Sequence, residues 1–376
     1  MKKMKIKDFG VEMWMNQYET SCRYNLAETC VASLTVQELL EMTGDPQGVQ
    51  DQILKMRLTY GDIEGSDRLR NAIASLYRTA KKENIAITHG AIGANAILML
   101  TLVEPGDHVI SVLPTYQQLY SIPESIGAKV DILRLRPENG YLPDLQELRK
   151  LAEGGVKLIC INNPNNPTGA VMDEAYLRQI VDIAREHDAW LLCDEVYRGL
   201  VHEGEPFTAS VFDLYPKAVS TGSLSKTYSL AGLRMGWVAA PVELVEKIAH
   251  QRDYHIISCG MINDLLAALA LENRDKIVER NLGILRHNKE FLTKWVENEP
   301  HITWMIPQGG TTALLCYDMD LPSEEFCRRL QEETGVMLLP GAVMEMEHTL
   351  RIGYGNTPEI IEAGLVEMGK WLRQFD

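Results

Sequence analysis

The middle of the chain alternates short, continuously apolar runs with stretches in which apolar residues recur every three to four positions. The apolar runs predict strands at 108–113, 129–135, 156–162, 190–197 and 217–224. The helical spacing predicts helices at 116–126, 145–152 and 174–188. Strands that alternate with helices indicate βαβ units and a mostly parallel sheet. Because a run such as 156–162 is continuously apolar and does not alternate with polar residues, we expect helices to cover both faces of that sheet.

The pattern changes in the last third of the chain. Residues 243–297 have largely helical spacing, and short strand-like runs follow at 311–318 and 349–355. This mixture favours a smaller α+β unit, which we expect the N-terminal segment to complete. The predicted domains are a large α/β domain, 46–282, and a small discontinuous α+β domain, 1–45 and 283–376.

Composition excludes several classes of protein. The chain has 37 basic and 52 acidic residues, a net charge of −15, which argues against a nucleic-acid partner. Seven cysteines without a C-x-x-C pair and nine histidines without an H-E-x-x-H motif give no sign of a disulfide framework or a metal site. No apolar run of about 18 residues and no signal-peptide core is present, so no membrane span and a cytoplasmic location are expected.

Polar motifs follow three of the predicted strands. In open α/β sheets, ligands bind beyond the carboxyl ends of the strands. Here N-P-N-N-P-T-G occupies 163–169, D-E-V-Y occupies 194–197 and S-L-S-K occupies 223–226, with Arg234 eight residues after Lys226. Each motif alone is typical of a turn, a helix cap or a surface lysine. Together, at neighbouring strand ends, they indicate a site for a flat, charged, phosphorylated ring.

These motifs resemble those of the fold-type-I pyridoxal-phosphate enzymes, specifically the class I/II aminotransferase family. The similarity extends over nearly the whole chain and includes further runs at 60–74, 88–97, 114–116 and 351–354. It implies a large domain with a mostly parallel sheet between helices, a small domain from both termini, and pyridoxal 5′-phosphate as cofactor. It also implies transfer of an α-amino group between an L-amino acid and a 2-oxo acid, by a homodimer with shared active sites.

The resemblance implies catalytic roles for Lys226, Asp194 and Tyr197, and a cofactor-binding role for Asn166 beside them. Lys226 corresponds to the Schiff-base lysine, which also carries the substrate proton from Cα to C4′. Asp194 corresponds to the carboxylate that pairs with the pyridine nitrogen and keeps the ring cationic. Asn166 and Tyr197 correspond to the pair that hydrogen-bonds the 3′-oxygen of the ring.

Other residues are implied to hold the phosphate and the substrate. The implied phosphate site comprises Gly90, Ala91 and Ile92 at a helix start, Ser223, Ser225 and Arg234, with Tyr60 reaching in from the neighbouring subunit. Tyr116 is implied to stack on the ring. Arg351 is implied to bind the substrate α-carboxylate by a two-pronged contact, with Asn166 beside it.

The N-terminal segment departs from the family pattern. Many relatives have a glycine-containing substrate loop where this chain reads Y-N-L-A-E-T-C-V at 24–31. If this segment occupies the same place, Glu28, Thr29 and Cys30 approach the substrate. A carboxylate at Glu28 would repel an acidic side chain and attract a basic one. No second arginine can be assigned to the distal carboxylate of an aspartate-type substrate, because the two candidates, Arg23 and Arg198, are each typical of a surface or ion-pair residue. An aspartate-type substrate is therefore not selected.

Two other functions remain open from the sequence. The same fold and cofactor could carry out β-elimination, cyclisation or oxidation, including arginine-type chemistry, because these reactions also begin with removal of the Cα proton. A non-catalytic, cofactor-sensing regulator is the third class. It fits poorly, because no basic DNA-binding module precedes the motifs and the net charge is −15.

Overall fold

The structure is a computed structural model that describes residues 6–375. Its helices are α1 Gly10–Tyr18, α2 Val36–Met42, α3 Pro46–Lys55, α4 Asp67–Ala74, α5 Gly90–Leu102, α6 Gln118–Ile126, α7 Leu145–Ala152, α8 Glu174–Glu186, α9 Val242–Arg252, α10 Met261–Glu272, α11 Arg274–Glu297, α12 Ser323–Thr334 and α13 Pro358–Leu372. Its strands are β1 Tyr24–Asn25, β2 Ile85–His89, β3 His108–Leu113, β4 Lys129–Arg134, β5 Leu158–Asn162, β6 Trp190–Asp194, β7 Ala218–Ser223, β8 Met235–Ala239, β9 Ile302–Trp304, β10 Thr312–Tyr317, β11 Val336–Met337, β12 Leu339–Pro340 and β13 Thr349–Gly353.

The main sheet has seven strands in the order β2-β8-β7-β6-β5-β3-β4. Within it, β8 runs antiparallel to both of its neighbours and the other pairs are parallel. The mostly parallel sheet is therefore confirmed, and the five predicted strands are its five parallel neighbours β3 to β7. The sequence pattern did not identify β2 or β8. The run M-G-W-V-A of β8 contains a glycine, which weakens a strand pattern.

One predicted strand is longer than the strand observed. The run 190–197 was expected to be extended throughout, but β6 ends at Asp194. The Asp194 carboxylate oxygen Oδ1 accepts a hydrogen bond from the backbone N–H of Val196 at 3.2 Å. This side-chain contact turns the chain out of the sheet two residues later, as aspartate commonly does at turns.

The remaining strands form two smaller sheets. An antiparallel sheet has the order β12-β13-β10-β9, and β1 pairs in parallel with β11, placing Tyr24 opposite Val336. The N-terminal segment therefore contacts the C-terminal third, which agrees with the α+β unit expected there. The domain limits themselves stay a prediction, since the boundary at 282/283 falls inside α11.

The register of three central strands brings polar residues to one level. Asn162 at the end of β5 lies opposite Asp194 at the end of β6, and Asp194 lies opposite Thr221 of β7. The strands are buried along their length, so these polar ends mark the edge of the core. Among residues 6–375, no helix combines the length and the apolar character needed to cross a membrane.

Candidate active site

A cavity of about 340 Å³ opens at this edge of the sheet. Its lining includes most of the residues predicted from the sequence: Glu28, Thr29, Cys30, Ala91, Ile92, Tyr116, Asn166, Asp194, Tyr197, Ser223, Ser225, Lys226, Arg234 and Arg351. Two predicted residues lie outside the lining. Gly90 is the first residue of α5, next to the cavity. Tyr60 lies on the surface of the chain with 72% of its area exposed.

Asp194 is a buried carboxylate at the floor of the cavity. Its Oδ2 accepts a hydrogen bond from Asn95 Nδ2 at 2.9 Å, and Asn95 in turn accepts one from the Thr221 hydroxyl at 2.8 Å. Burial raises the pKa of Asp194 above its ordinary value in spite of these hydrogen bonds. A cationic partner would stabilise the ionised form of such a buried carboxylate.

Lys226 presents its amine to the same cavity. The Nζ atom donates to Thr29 Oγ1 at 2.5 Å and lies 3.4 Å from Cys30 Sγ. Burial lowers the pKa of Lys226, but Cys30, Tyr197 and Glu28 outweigh that effect, and the pKa lies above its ordinary value. The amine is therefore held in its charged form, close to hydroxyl, thiol and carboxylate groups that all come from the chain around it.

Arg351 extends from β13 into the cavity and is only 3% exposed. Its guanidinium donates to the Ala27 carbonyl at 3.1 Å and weakly to Asn166 Oδ1 at 3.4 Å. The Nε–H group is buried and has no hydrogen-bond partner among residues 6–375. Burial lowers the pKa of Arg351. A buried guanidinium with an unsatisfied donor fits a site for an anion such as a carboxylate.

The other end of the cavity has the features of a phosphate site. The helix α5 begins at Gly90 without a side-chain cap. The Gly90 N–H donates to the Arg234 carbonyl at 3.0 Å, and the next N–H groups, those of Ala91 and Ile92, are free to bind an anion. Gly90 has a φ of +66°, and a Cβ there would stand 2.9 Å from Nη2 of Arg234. Ser223 Oγ accepts the backbone N–H of Ser225 at 3.3 Å on the opposite side.

Tyr116 and Tyr197 both line the cavity. Tyr197 is buried, and burial raises the pKa of its hydroxyl. The Tyr116 hydroxyl donates to Glu12 Oε1 at 2.7 Å, and its ring packs against Phe9 at 4.8 Å between centroids. Burial, followed by the charge of Glu12, raises the pKa of Tyr116 as well. Both tyrosines are therefore neutral hydroxyls.

Sequence reasoning missed one wall of the cavity. Helix α1 contributes Val11, Glu12, Met15 and, just after its end, Glu19. These residues join Glu28, Thr29 and Cys30, which lie after β1, in what we call the N-terminal wall. Trp14 fixes α1 in place, because its indole N–H donates to the Leu338 carbonyl at 2.9 Å, 324 positions away. Local sequence carries no signal for such a contact.

Asn95 was also missed, although the sequence held a signal for it. It is the single amide in the apolar run A-I-G-A-N-A-I-L-M-L of α5, and it is 1% exposed. A buried polar side chain in an apolar helix needs a hydrogen-bonding partner, and here the partner is Asp194.

The two arginines considered for a distal carboxylate do not line the cavity. Arg198 donates to the Thr208 carbonyl at 2.8 Å and lies 3.9 Å from Glu195. Arg23 is exposed and its guanidinium lies 5.0 Å from the centre of the Tyr24 ring.

The donor set fits pyridoxal phosphate. A buried carboxylate suited to a cation, a lysine amine, and a helix start beside an arginine lie around one cavity. These features define a fold-type-I pyridoxal-phosphate enzyme. The family model described as "Aminotransferase class I and II" matches residues 33–366, and the chain belongs to that family.

Individual relatives agree with this assignment. Capreomycidine synthase of Streptomyces vinaceus is 31% identical over 363 residues, covering 96% of this chain and 93% of that protein. Aspartate aminotransferase of Pyrococcus horikoshii is 28% identical over 315 residues, covering 81% of each. A crystal structure of a PLP-dependent aminotransferase from Streptococcus suis 89-1591 is 44% identical, with a TM-score of 0.96 and 99% of each chain covered. The protein is a pyridoxal-phosphate-dependent aminotransferase.

Proposed function

We propose that this aminotransferase binds the cofactor aldehyde through Lys226 and uses the same amine to move the substrate Cα proton. The observation that supports this is the position of Lys226 Nζ in one cavity with the buried carboxylate of Asp194 and the buried guanidinium of Arg351. When bound, pyridoxal phosphate supplies an electron sink for the charge that develops at Cα. The remaining steps belong to residues of the chain.

Asp194 would hold the proton-bearing ring nitrogen of the cofactor. Its carboxylate is fixed in orientation by hydrogen bonds from Asn95 Nδ2 and from the N–H of Val196. Burial makes an unpaired charge at Asp194 costly, and a cationic ring nitrogen removes that cost. Asn166 and Tyr197 are proposed to donate hydrogen bonds to the 3′-oxygen of the ring, from positions that are both buried.

With the cofactor bound, Lys226 would perform the proton transfer. Its amine would take the proton from the substrate Cα as a general base and return it, as a general acid, at C4′ of the cofactor. The Thr29 hydroxyl, 2.5 Å from Nζ, positions that amine. Arg351 binds the α-carboxylate through its unsatisfied Nε–H and a terminal nitrogen, which orients the Cα–H bond.

The phosphate is proposed to bind at the start of α5. Free N–H groups of Ala91 and Ile92, the hydroxyls of Ser223 and Ser225, and the Arg234 guanidinium would surround it. These groups come from three separate segments around one end of the cavity.

We also propose that the enzyme is a cytoplasmic homodimer. Leu58, Tyr60 and Tyr254 are 79%, 72% and 85% exposed. The segments that carry them are joined by a 2.8 Å hydrogen bond from Arg252 to the Ile63 carbonyl. Large exposed apolar side chains on adjoining segments are typical of an interface. A second subunit would cover them and bring its Tyr60 to the phosphate.

Mixing the holoenzyme with an amino acid in the absence of a 2-oxo acid tests the proposed reaction. Stoichiometric conversion of the cofactor to its amine form, followed by recovery on addition of a 2-oxo acid, supports the proposed half-reactions. Catalytic release of ammonia without that conversion supports the alternative, an elimination, cyclisation or oxidation that uses the same initial proton removal. Borohydride reduction and peptide mapping then show whether the cofactor is attached at Lys226.

A further inference from the structure

The cavity contains more negative charge than the proposed roles explain. In those roles Lys226 binds the cofactor aldehyde, Arg351 the α-carboxylate, Arg234 the phosphate and Asp194 the ring nitrogen. Three other carboxylates line the same cavity and have no part in the reaction: Glu12, Glu19 and Glu28. Within residues 6–375, no lysine or arginine nitrogen lies within 4.0 Å of any of these three carboxylates. Burial acts to raise the pKa of Glu28, but the nearby charge of Lys226 lowers it, and in the proposed roles that amine is taken up by the cofactor aldehyde.

The three glutamates lie close enough to influence one another. Burial raises the pKa of Glu19, and the negative charges of Glu28 and Glu12 raise it further. Like charges gathered at one site destabilise each other unless a cation lies between them. The N-terminal wall thus has the electrostatic character of a cation site.

Two of the glutamates are fixed in orientation. Glu28 Oε1 accepts the backbone N–H groups of Thr29 at 2.7 Å and Cys30 at 2.8 Å, and Glu12 Oε1 accepts the Tyr116 hydroxyl at 2.7 Å. The second carboxylate oxygen of Glu12 has no hydrogen bond within the described part of the chain, and the Cys30 thiol is a further neighbour of the Glu28 carboxylate. Glu12 and Glu28 are half-buried, whereas Glu19 is exposed at the cavity mouth.

An independent feature of the same cavity also indicates a missing ligand. Arg351 is only 3% exposed, and its Nε–H has no hydrogen-bond partner in the described part of the chain. The Arg351 guanidinium would be stabilised by an anion, whereas the glutamates of the N-terminal wall would be stabilised by a cation. Glu12 and Glu28 are both close enough to Arg351 to raise its pKa, so the two requirements lie side by side.

We propose that the amino-acid substrate has a cationic side chain, a guanidinium or an ammonium, whose charged head lies between Glu12 and Glu28 with Glu19 at the entrance. This proposal rests on the proposed function, in which Arg351 takes the α-carboxylate. A guanidinium offers the better geometry, because its planar donors can meet two carboxylates at once. An acidic side chain would meet like charge, and neither Arg23 nor Arg198 lines the cavity to receive it.

The sharpest test compares two substrates that differ by one charge. L-arginine and L-citrulline have side chains of nearly the same shape, but the citrulline head is an uncharged urea. The rate of cofactor conversion by the holoenzyme gives kcat/KM for each. We expect arginine to exceed citrulline by about tenfold to a hundredfold, which is the range for a hydrogen-bonded charge. Equal values, or a higher value for L-glutamate than for arginine, would overturn the proposal.

Glutamine substitutions in the N-terminal wall test which glutamates cause the preference for arginine over citrulline. In E12Q/E28Q we expect the arginine-to-citrulline ratio to fall to about one, with citrulline itself changed little. E19Q should lower the ratio less, because Glu19 is exposed. Glu153→Gln is the matched control, since it removes an exposed carboxylate outside the cavity. An unchanged ratio in E12Q/E28Q would contradict the placement, and the wild-type comparison still tests the proposal if the double variant does not fold.

Calorimetric titration separates this proposal from the proposed function. If no amino acid converts the cofactor but arginine still binds more tightly than citrulline, the proposed reaction fails and the cation site stands. If neutral amino acids convert the cofactor as well as arginine does, the proposed reaction stands and the cation site fails. Lysine and ornithine in the same titration distinguish an ammonium site from a guanidinium site by their affinity relative to arginine.

Discussion

The two sides of the active-site cavity differ in how they are built. One side, which we call the sheet wall, lies at the carboxyl ends of β5, β6 and β7 and in the residues just after them. It consists of Asn166, Asp194, Ser223, Ser225 and Lys226. Apart from the partly exposed Lys226, these residues are buried. The N-terminal wall comes from α1 and the segment after β1, and its glutamates are half-buried or exposed. The sheet wall is part of the buried core, whereas the glutamates of the N-terminal wall lie closer to the surface.

We interpret this difference as a division between the residues that act on the cofactor and the residues that select the substrate. Groups that act on the cofactor need fixed positions, and the ends of packed strands provide them. Groups that choose among substrates sit on a segment whose sequence can change without disturbing the sheet. Changes in the sheet wall should therefore affect all substrates equally, while changes in the N-terminal wall should affect substrates according to their charge. The following predictions test that division.

The largest effect is expected for Lys226→Ala. Loss of the amine removes both the covalent attachment and the proton carrier, so turnover should fall by about 10⁴-fold or more for every amino acid. The measurement is steady-state activity together with borohydride trapping of the cofactor. Lys157→Ala, which removes an exposed lysine before β5, is the control and should keep full activity. Residual trapping in Lys226→Ala would place the attachment at another lysine.

The next largest effect is expected for Asp194→Asn. The neutral amide cannot favour a cationic ring nitrogen, so kcat should fall by about a hundredfold to a thousandfold. The loss should be the same for basic and neutral amino acids, because the proposed substrate placement puts the side chain at the N-terminal wall, away from Asp194. Single-turnover kinetics with two amino acids measures this. A loss that depends on substrate charge would show that the two walls are not separate in function.

The sequence predicted the sheet wall and missed most of the N-terminal wall, for a physical reason. Asp194 and Lys226 follow apolar strands, and the ends of neighbouring parallel strands must meet at one edge of a sheet. Glu12 and Glu19 have no such local constraint. Their position depends on how α1 docks, through contacts such as the hydrogen bond from the Gly10 N–H to Gln117 Oε1 at 3.0 Å.

Tyr60 shows a second limit of sequence reasoning. It was expected at the phosphate of a neighbouring subunit, and in a single chain it is 72% exposed and outside the cavity. A residue whose partner lies on another subunit cannot be placed from the contacts of its own chain. Its role therefore stays a prediction, as does the homodimer.

A smaller effect is expected for Arg351→Lys. Lysine keeps the positive charge but loses the fork of donors that includes the unsatisfied Nε–H. We expect KM to rise by about tenfold to a hundredfold for all amino acids and 2-oxo acids, because each has an α-carboxylate. The readout is the KM-against-kcat split in both half-reactions. Arg149→Lys, at an exposed ion pair with Glu186, is the control. An unchanged KM would assign the carboxylate to another group.

The smallest effect concerns cofactor capture by the apoprotein, and it links the two walls. Burial lowers the pKa of Lys226, but Cys30, Tyr197 and Glu28 raise it above its ordinary value, so the amine is mostly protonated at neutral pH. Only the neutral amine attacks an aldehyde, so the capture rate should increase as pH rises toward that pKa.

Glu28→Gln removes one of the groups that raise the pKa of Lys226, which increases the fraction of neutral amine at a given pH. Capture at pH 8 should then be about twofold to fivefold faster than in the wild type, while Glu153→Gln leaves it unchanged. Stopped-flow absorbance after mixing with pyridoxal phosphate measures the rate. Slower capture in Glu28→Gln than in the wild type would contradict this prediction. It would mean that the hydrogen bonds of Glu28 with Thr29 and Cys30 help the Lys226 amine to react more than the charge of Glu28 hinders it.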